Sequence, residues 1–357
     1  MAPSVVPALV TDRLAAAYDR HTEELRDLGD GVGEFLTAGQ ALLAGGKRLR
    51  GAFCVAGWSA YRHEPLDETT PAVIAASAIE LFQGAALVHD DLIDASDTRR
   101  GMPAVHRRLA AHHAAAGWQG SSDEHGAAGA ILLGDLMLSL AQREMDLARE
   151  GVESHAARRA GAQWAHMSAE VAAGQYLDVR SQVLPIDALS VASSLQVIRA
   201  KSARYSVEHP LLIGAALAGA APDDLAHLAR VGLPLGMAFQ LRDDVLGVLG
   251  DPQVTGKPAG DDLREGKRTV LLALTMKRAD AEGRQLLQSS LGRADLNSST
   301  VSAIQRLMRD SGALDEHEAL IDSYREEALD ALEALEVPDA SRGALAELAT
   351  AVTTRHT

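Results

Sequence analysis

The sequence predicts an all-α protein, and three observations carry that prediction. Ala, Leu, Glu and Arg fill most windows of the chain, and aromatic residues make up only 3% of it. Straight-chain residues keep their rotamer freedom in a helix, whereas strands draw on the β-branched and aromatic residues that are scarce here. Apolar residues also recur at intervals of three and four, as on a helix with one face against a core. No alternating strand pattern and no sustained internal repeat is present.

Taken in order, periodic segments run over Asp12–Leu28, Ala72–Asp94, Ala128–Arg149, Ala156–Asp178, Asp224–Leu249 and Leu314–Leu335. Helix breakers fall between them: Gly45-Gly46, Pro65, Pro185, Pro210, Pro222, Asp251-Pro252, Lys257-Pro258 and Pro338. Gly117–Gly126 (GWQGSSDEHG) reads as an exposed, flexible loop. Arg355-His356-Thr357 is expected to fray. No shift in composition marks a boundary, so residues 1–357 are expected to form one domain, a single large helical bundle.

The 34 Lys and Arg residues against 49 Asp and Glu leave a net charge of −15. With no long basic block, this argues against nucleic acid or an anionic membrane as partner, because both are bound through an excess of Lys and Arg. Apolar stretches such as Leu211–Ala221 reach about half of the roughly 20 residues needed to span a bilayer. The first ten residues lack the basic flank of a signal peptide. A single cysteine, Cys54, excludes an internal disulfide and reads as a small buried apolar residue. A soluble cytoplasmic protein is expected.

Two acidic clusters interrupt hydrophobic helices. His89-Asp90-Asp91-Leu92-Ile93-Asp94 closes the apolar run Leu81–Val88. On a helix, Asp90 and Asp94 lie one turn and about 40° apart and share a face. One Asp pair is ordinarily a solvated helix end. On an apolar helix, however, unpaired carboxylates are costly, and a divalent cation relieves the repulsion. All-oxygen donors suit Mg²⁺ or Mn²⁺. Phe239-Gln240-Leu241-Arg242-Asp243-Asp244 repeats the arrangement, but the residue four beyond Asp243 is Gly247, so this cluster is thinner.

Cations form a third set. Lys47-Arg48-Leu49-Arg50 follows Gly45-Gly46, with Lys47 and Arg50 expected on one helix face. Arg99-Arg100 follows the first acidic cluster, and Lys201, Lys257 and Lys267 lie further on. Any one of these is ordinarily a solvated surface charge. Grouped beside Gly-rich turns and acids, they argue for phosphate binding.

In one order the chain carries Gly45-Gly46-Lys47-Arg48-Leu49-Arg50, Asp90-Asp91-Leu92-Ile93-Asp94 with Arg99-Arg100-Gly101, Gly134-Asp135, Gly174-Gln175 with Asp178, Phe239-Gln240 with Asp243-Asp244, and Thr255-Gly256-Lys257 with Asp262 and Lys267. This series closely resembles the trans-isoprenyl diphosphate synthases of the polyprenyl synthetase family over about residues 35–275. The resemblance implies the isoprenoid-synthase bundle, with a central cavity between two Asp-rich helices. It also implies Mg²⁺-dependent, head-to-tail condensation of isopentenyl diphosphate with an allylic diphosphate, and a homodimer. By resemblance, Asp90, Asp94 and Asp243 are direct ligands of three Mg²⁺ ions, with Mn²⁺ possible, and Asp91 and Asp244 are nearby carboxylates. Lys47, Arg50, Gln83 and Arg100 hold isopentenyl diphosphate. Arg99, Lys201, Ser202, Gln240, Lys257 and Lys267 hold the allylic diphosphate. Gln83 stands where many members have His, Ser202 where Thr is usual, and Gly247 where a third acid is usual.

The growing product is expected to run beside the helix bearing the first cluster. One isoprene unit is roughly 5 Å, close to one helix pitch. Ala86 and Ala85, four and five residues before Asp90, are small, and Phe82 is either the next floor or an ordinary core aromatic. The resemblance therefore implies geranylgeranyl diphosphate as the main product, with farnesyl or longer chains as alternatives. A class I terpene cyclase is the neighbouring reading, but it would not need the second diphosphate site of Lys47, Arg50 and Arg100. A non-catalytic regulatory subunit is opposed by the intact acids. His89-Asp90 as a phosphohydrolase core lacks further His at a persuasive register, and no Glu-x-x-His occurs to support a diiron bundle.

Overall fold

The computed structural model describes residues 5–250 and 260–354. Lys257, with Thr255 and Gly256, and the tail from residue 355 lie outside the described residues. The described chain is almost entirely helical, as the composition predicts. It begins with α1 (Val5–Arg26), α2 (Gly33–Leu43), α3 (Leu49–Ser59), α4 (Pro71–Ile93), α5 (Val105–Ala115), α6 (Ser122–Glu150) and α7 (Ser154–Val183). After α8 (Val191–Ile198) comes a π-helical stretch, Arg199–Glu208, and then α9 (His209–Leu217) and α10 (Pro222–Leu249). The remaining helices are α11 (Asp261–Glu265), α12 (Val270–Arg278), α13 (Ala281–Ser290), α14 (Ser298–Asp310), α15 (Ala313–Glu333) and α16 (Asp339–Thr353).

Two differences from the sequence reading have local causes. Thr98–Arg99 and Met102–Pro103 pair as a two-stranded antiparallel hairpin, although no strand pattern is legible. Arg100 (φ 55°) and Gly101 (φ 74°) are both left-handed, the combination that closes tight hairpins. The Gly117–Gly126 loop is shorter than predicted, because α6 starts at Ser122. The Ser121 hydroxyl accepts the Glu124 N–H at 3.3 Å, and Asp123 and Glu124 favour the positive end of the helix dipole.

The chain divides into two compact units, Met1–Gly161 with Pro210–Ala221, and Ala162–His209 with Pro222–Thr357. In the first unit α4 is the central helix, packed by α1, α3 and α6. It is long and apolar enough to cross a membrane by composition, but 72% of that apolar window is buried in the protein, which makes it a core helix. Glu144 on α6 is fully buried and accepts hydrogen bonds from Arg13 (2.6 Å) and Ser77 (3.2 Å) and lies 2.6 Å from His21, tying α1, α4 and α6 together. A buried carboxylate survives only with partners of this kind. Cys54 is buried, and burial pushes its thiol up, so it behaves as the predicted apolar residue.

In the second unit α10 packs against the π-helical stretch and α15. A Cβ at Gly236 would overlap Ala203, and one at Gly232 would lie 2.8 Å from the Glu208 Cα, so these glycines set the close approach of the two helices. Leu241, Val245, Val270, Leu274 and Ile321 fill the core beneath.

Candidate active site

The first acidic cluster sits where α4 ends. The Asp94 N–H donates to the Asp90 carbonyl at 2.8 Å, so the two acids are one helical turn apart, as their spacing predicts. Asp90 and Asp94 are half-buried, whereas Asp91 is turned inward and buried. Arg99 holds it there, with Nε donating to Asp91 Oδ1 at 2.8 Å and Nη2 donating to the same oxygen. Nη2 is also 3.9 Å from Asp90. The hairpin turn explains how one dipeptide serves two places: Arg99 folds back on α4, and Arg100 reaches Gly45-Gly46, where a Cβ on Gly46 would lie 2.9 Å from Arg100 Nη2. Desolvation and then the neighbouring Arg48, Arg99 and Arg50 guanidinium groups pull Arg100 below its ordinary pKa, with Glu80 opposing. Such concentrated positive charge is built for a polyanion.

The expectation that Lys47 and Arg50 share a helix face fails. Helix α3 starts at Leu49, and Arg48 before it is left-handed (φ 52°), so Lys47 precedes the helix. Arg48 itself is buried, bonded to Thr11 (3.0 Å) and the Leu43 carbonyl and 3.6 Å from Glu80, which also accepts the Gly51 N–H at 3.1 Å. Its role is to shape the loop that presents exposed Lys47 and half-buried Arg50. Gln83 is half-buried on α4. A Cβ at Gly134 would overlap the His89 ring, so the Gly134-Asp135 pair makes room for His89, whose Nε2 lies 3.8 Å from Asp135. Ala85 and Phe82 are buried and Ala86 is half-buried, consistent with a run of small residues above an aromatic.

In the second unit, Gly174 and Asp178 act together. A Cβ at Gly174 would lie 2.5 Å from the Lys201 backbone nitrogen, so the glycine brings α7 against the π-helical stretch. Lys201 Nζ then donates to Asp178 Oδ2 at 2.6 Å. Ser202 beside it is half-buried.

On α10, Asp243 is half-buried and Asp244 is buried. Gln240 Nε2 donates to Asp244 Oδ1 at 3.0 Å, while Asp244 Oδ2 is buried without a hydrogen-bond partner among the described residues. Burial first, and then the carboxylates of Asp262 and Asp243, push the Asp244 carboxyl well above the usual range, with Gln240 and Lys267 opposing. The acid missing at Gly247 has a replacement: a Cβ there would overlap the Asp262 carboxylate, which α11 carries into that space. Lys267 Nζ is 3.4 Å from Asp262 and 2.5 Å from Glu265. The second cluster therefore has three carboxylates, not two, and one buried oxygen lacking a partner, a donor set that suits a hard divalent cation. Arg242 points elsewhere, forming a bidentate pair with Glu318 on α15 (2.7 and 2.7 Å) that anchors α10. Asp262 as a third acid was not identified from sequence.

The polyprenyl synthetase family model matches residues 33–308. The chain belongs to the polyprenyl synthetase family. A geranylfarnesyl diphosphate synthase of Aeropyrum pernix is 33% identical over 307 residues, covering 85% of this chain and 88% of that protein. A geranylgeranyl diphosphate synthase of Saccharolobus solfataricus is 30% identical, covering 74% and 73%. Among solved structures, geranylgeranyl pyrophosphate synthase from Corynebacterium glutamicum, complexed with isoprenyl diphosphate and magnesium, superimposes with a TM-score of 0.92 at 37% identity, covering 98% of this chain and 99% of that one. The chain is thus a prenyltransferase of the all-helical isoprenyl synthase fold.

Proposed function

We propose that the protein is a magnesium-dependent geranylgeranyl diphosphate synthase that extends an allylic diphosphate with isopentenyl diphosphate. The observation that carries this reading is the second acidic cluster, in which Asp262 fills the place left at Gly247 and Asp244 keeps a buried oxygen without a partner among the described residues. Asp90, Asp94 and Asp243 are assigned to magnesium, three ions in all, with Mn²⁺ able to substitute, and Asp262 is added to Asp243 in the second cluster. Bound magnesium would neutralise the charge that develops on the departing diphosphate.

The chain's own residues do the rest. Arg99, Lys201, Ser202, Gln240, Lys257 and Lys267 orient the allylic diphosphate, with Asp91 fixing Arg99, Asp178 fixing Lys201 and Asp244 fixing Gln240. Lys47, Arg50, Gln83 and Arg100 hold isopentenyl diphosphate. The allylic carbon–oxygen bond breaks as diphosphate departs, the terminal double bond of isopentenyl diphosphate forms the new carbon–carbon bond at the resulting cation, and the proton then lost goes to the released diphosphate.

Ala85 and Ala86 admit a chain beyond fifteen carbons, and Phe82 limits it near twenty. The relative named geranylfarnesyl diphosphate synthase favours a second reading, a product one unit longer. We assign the protein to the cytoplasm, consistent with its acidic composition. We also assign it a homodimeric state, for which the exposed Ile131 and Leu132 on α6 offer an apolar face. The test is direct product analysis with Mg²⁺, isopentenyl diphosphate and each allylic primer. A linear twenty-carbon diphosphate, lost when the metal is chelated, is expected. A cyclised hydrocarbon, diphosphate release alone or no reaction would overturn the reading.

A further inference from the structure

Two turns before Asp178, helix α7 carries a set of ligands that the prenyl-transfer reading does not use. His166 and Glu170 are one turn apart on α7, and His209 follows the π-helical stretch. One ring nitrogen of each histidine and one carboxylate oxygen lie within 4.8 Å of one another. His209 Nε2 is 2.8 Å and His166 Nε2 is 4.0 Å from the same oxygen, Glu170 Oε2. The two rings meet edge to face, with centroids 5.3 Å apart.

The surroundings pre-arrange this set. The other Glu170 oxygen accepts from Arg204 Nη1 at 2.6 Å, so the carboxylate is held with Oε2 toward the histidines. Arg204 is itself paired with Glu208 (3.0 and 3.2 Å). Two carboxylates against one guanidinium leave an excess negative charge beside two imidazoles. The His209 ring is itself fully buried. Its Nδ1 is buried with no hydrogen-bond partner. His209 Nε2 and Glu170 Oε2 face each other at 2.8 Å, so a dication that displaces the proton they share finds both lone pairs turned toward one point. His209 and Glu170 form the inner wall, and His166, 56% exposed, opens the group to solvent.

We propose that His166, Glu170 and His209 form a binding site for a transition-metal dication of the Zn²⁺ class, separate from the all-oxygen magnesium clusters. Two imidazoles and one carboxylate, with a fourth position open to water, are a recognised zinc donor set, and imidazole selects Zn²⁺, Co²⁺ or Ni²⁺ over Mg²⁺. The ion would clamp α7 to the π-helical stretch about 12 Å along the helix from the Asp178–Lys201 pair. The proposal stands whether or not the prenyl-transfer reading holds.

The test uses full-length, chelator-treated protein titrated with Co²⁺ under a large excess of Mg²⁺. Intense visible absorption of four-coordinate cobalt should saturate near about one ion per chain and disappear on addition of Zn²⁺. His166→Ala, at an exposed position that leaves the metal-free fold intact, should weaken binding by about tenfold or more. Glu170→Gln should do the same. Equal titrations in wild type and both variants would overturn the assignment, as would a signal lost only on replacing His113 and His125, whose rings lie 5.0 Å apart elsewhere in the chain.

Discussion

The carboxylate of Asp262 occupies the space that a side chain at Gly247 would need, so the two positions cannot both carry bulk. The acid at 262 places a carboxylate by tertiary approach where an acid four residues after Asp243 would place one by helical spacing. Gly247→Ala should displace Asp262 and lower kcat/KM by about tenfold or more, on the scale of disturbing a metal's ligand set. Asp262→Ala should lose at least as much. Placing Asp at 247 in the Asp262→Ala background should recover part of that loss, a non-additive pair that steady-state kinetics would reveal. If the double variant is no better than the single ones, the two positions do not share a role.

The approach of α7 to the π-helical stretch depends on Gly174. A Cβ there would lie 2.5 to 2.7 Å from backbone atoms of Ala200 and Lys201, which cannot swing aside as a side chain can. Gly174→Ala should therefore cost about 1–3 kcal/mol of stability through overpacking. Because Lys201 moves with its backbone and loses its 2.6 Å bond to Asp178, the KM for the allylic diphosphate should rise as well. Thermal unfolding together with KM measurements would check both, and a variant as stable as wild type would show that the helices can separate freely.

These two contacts show where sequence reading stops. The fold class and the helical register of Asp90 and Asp94 were legible because a helix repeats every 3.6 residues, and that period is printed along the chain. The apolar character of α4 was legible for the same reason. Asp262 was not, because it meets Gly247 through a tertiary contact that no local period records. Lys47 was misplaced on a helix because the left-handed backbone at Arg48 is stabilised by Thr11, Leu43 and Glu80, all distant in sequence. The hairpin turned on Arg100 adopting φ 55°, a conformation that composition would assign to Gly or Asn. His166 and Glu170 are one helical turn apart, but the set is completed by His209 from another helix, so no local period records it.

Phe82, buried two turns before Asp90 and beneath the small Ala85 and Ala86, supplies the third prediction. Phe82→Ala should lengthen the main product by one isoprene unit, because each helix turn cleared of bulk admits about one unit of similar length. Ala86→Phe should shorten it to fifteen carbons. Chromatography of dephosphorylated products reads both. An unchanged length distribution in Phe82→Ala would make that residue a core aromatic and nothing more.

His317 on α15 makes stability depend on pH. Its side chain is fully buried, neither ring nitrogen has a hydrogen-bond partner, and burial, reinforced by Arg242, pushes its pKa down to about 4. The unfolded chain takes up this proton near pH 6.5, while the folded chain resists until about pH 4. Between those values the unfolded state binds more protons, so stability falls as the pH falls, by up to roughly 3 kcal/mol for this one group. His21, His106 and His209 are also held below their ordinary pKa by burial and add to the same trend. His317→Leu removes the group while keeping the site apolar. Urea unfolding across this range should show a slope against pH reduced by about one proton in the variant. An identical slope would mean that the folded protein already carries the charge, and that Arg242, bound to Glu318, does not oppose it.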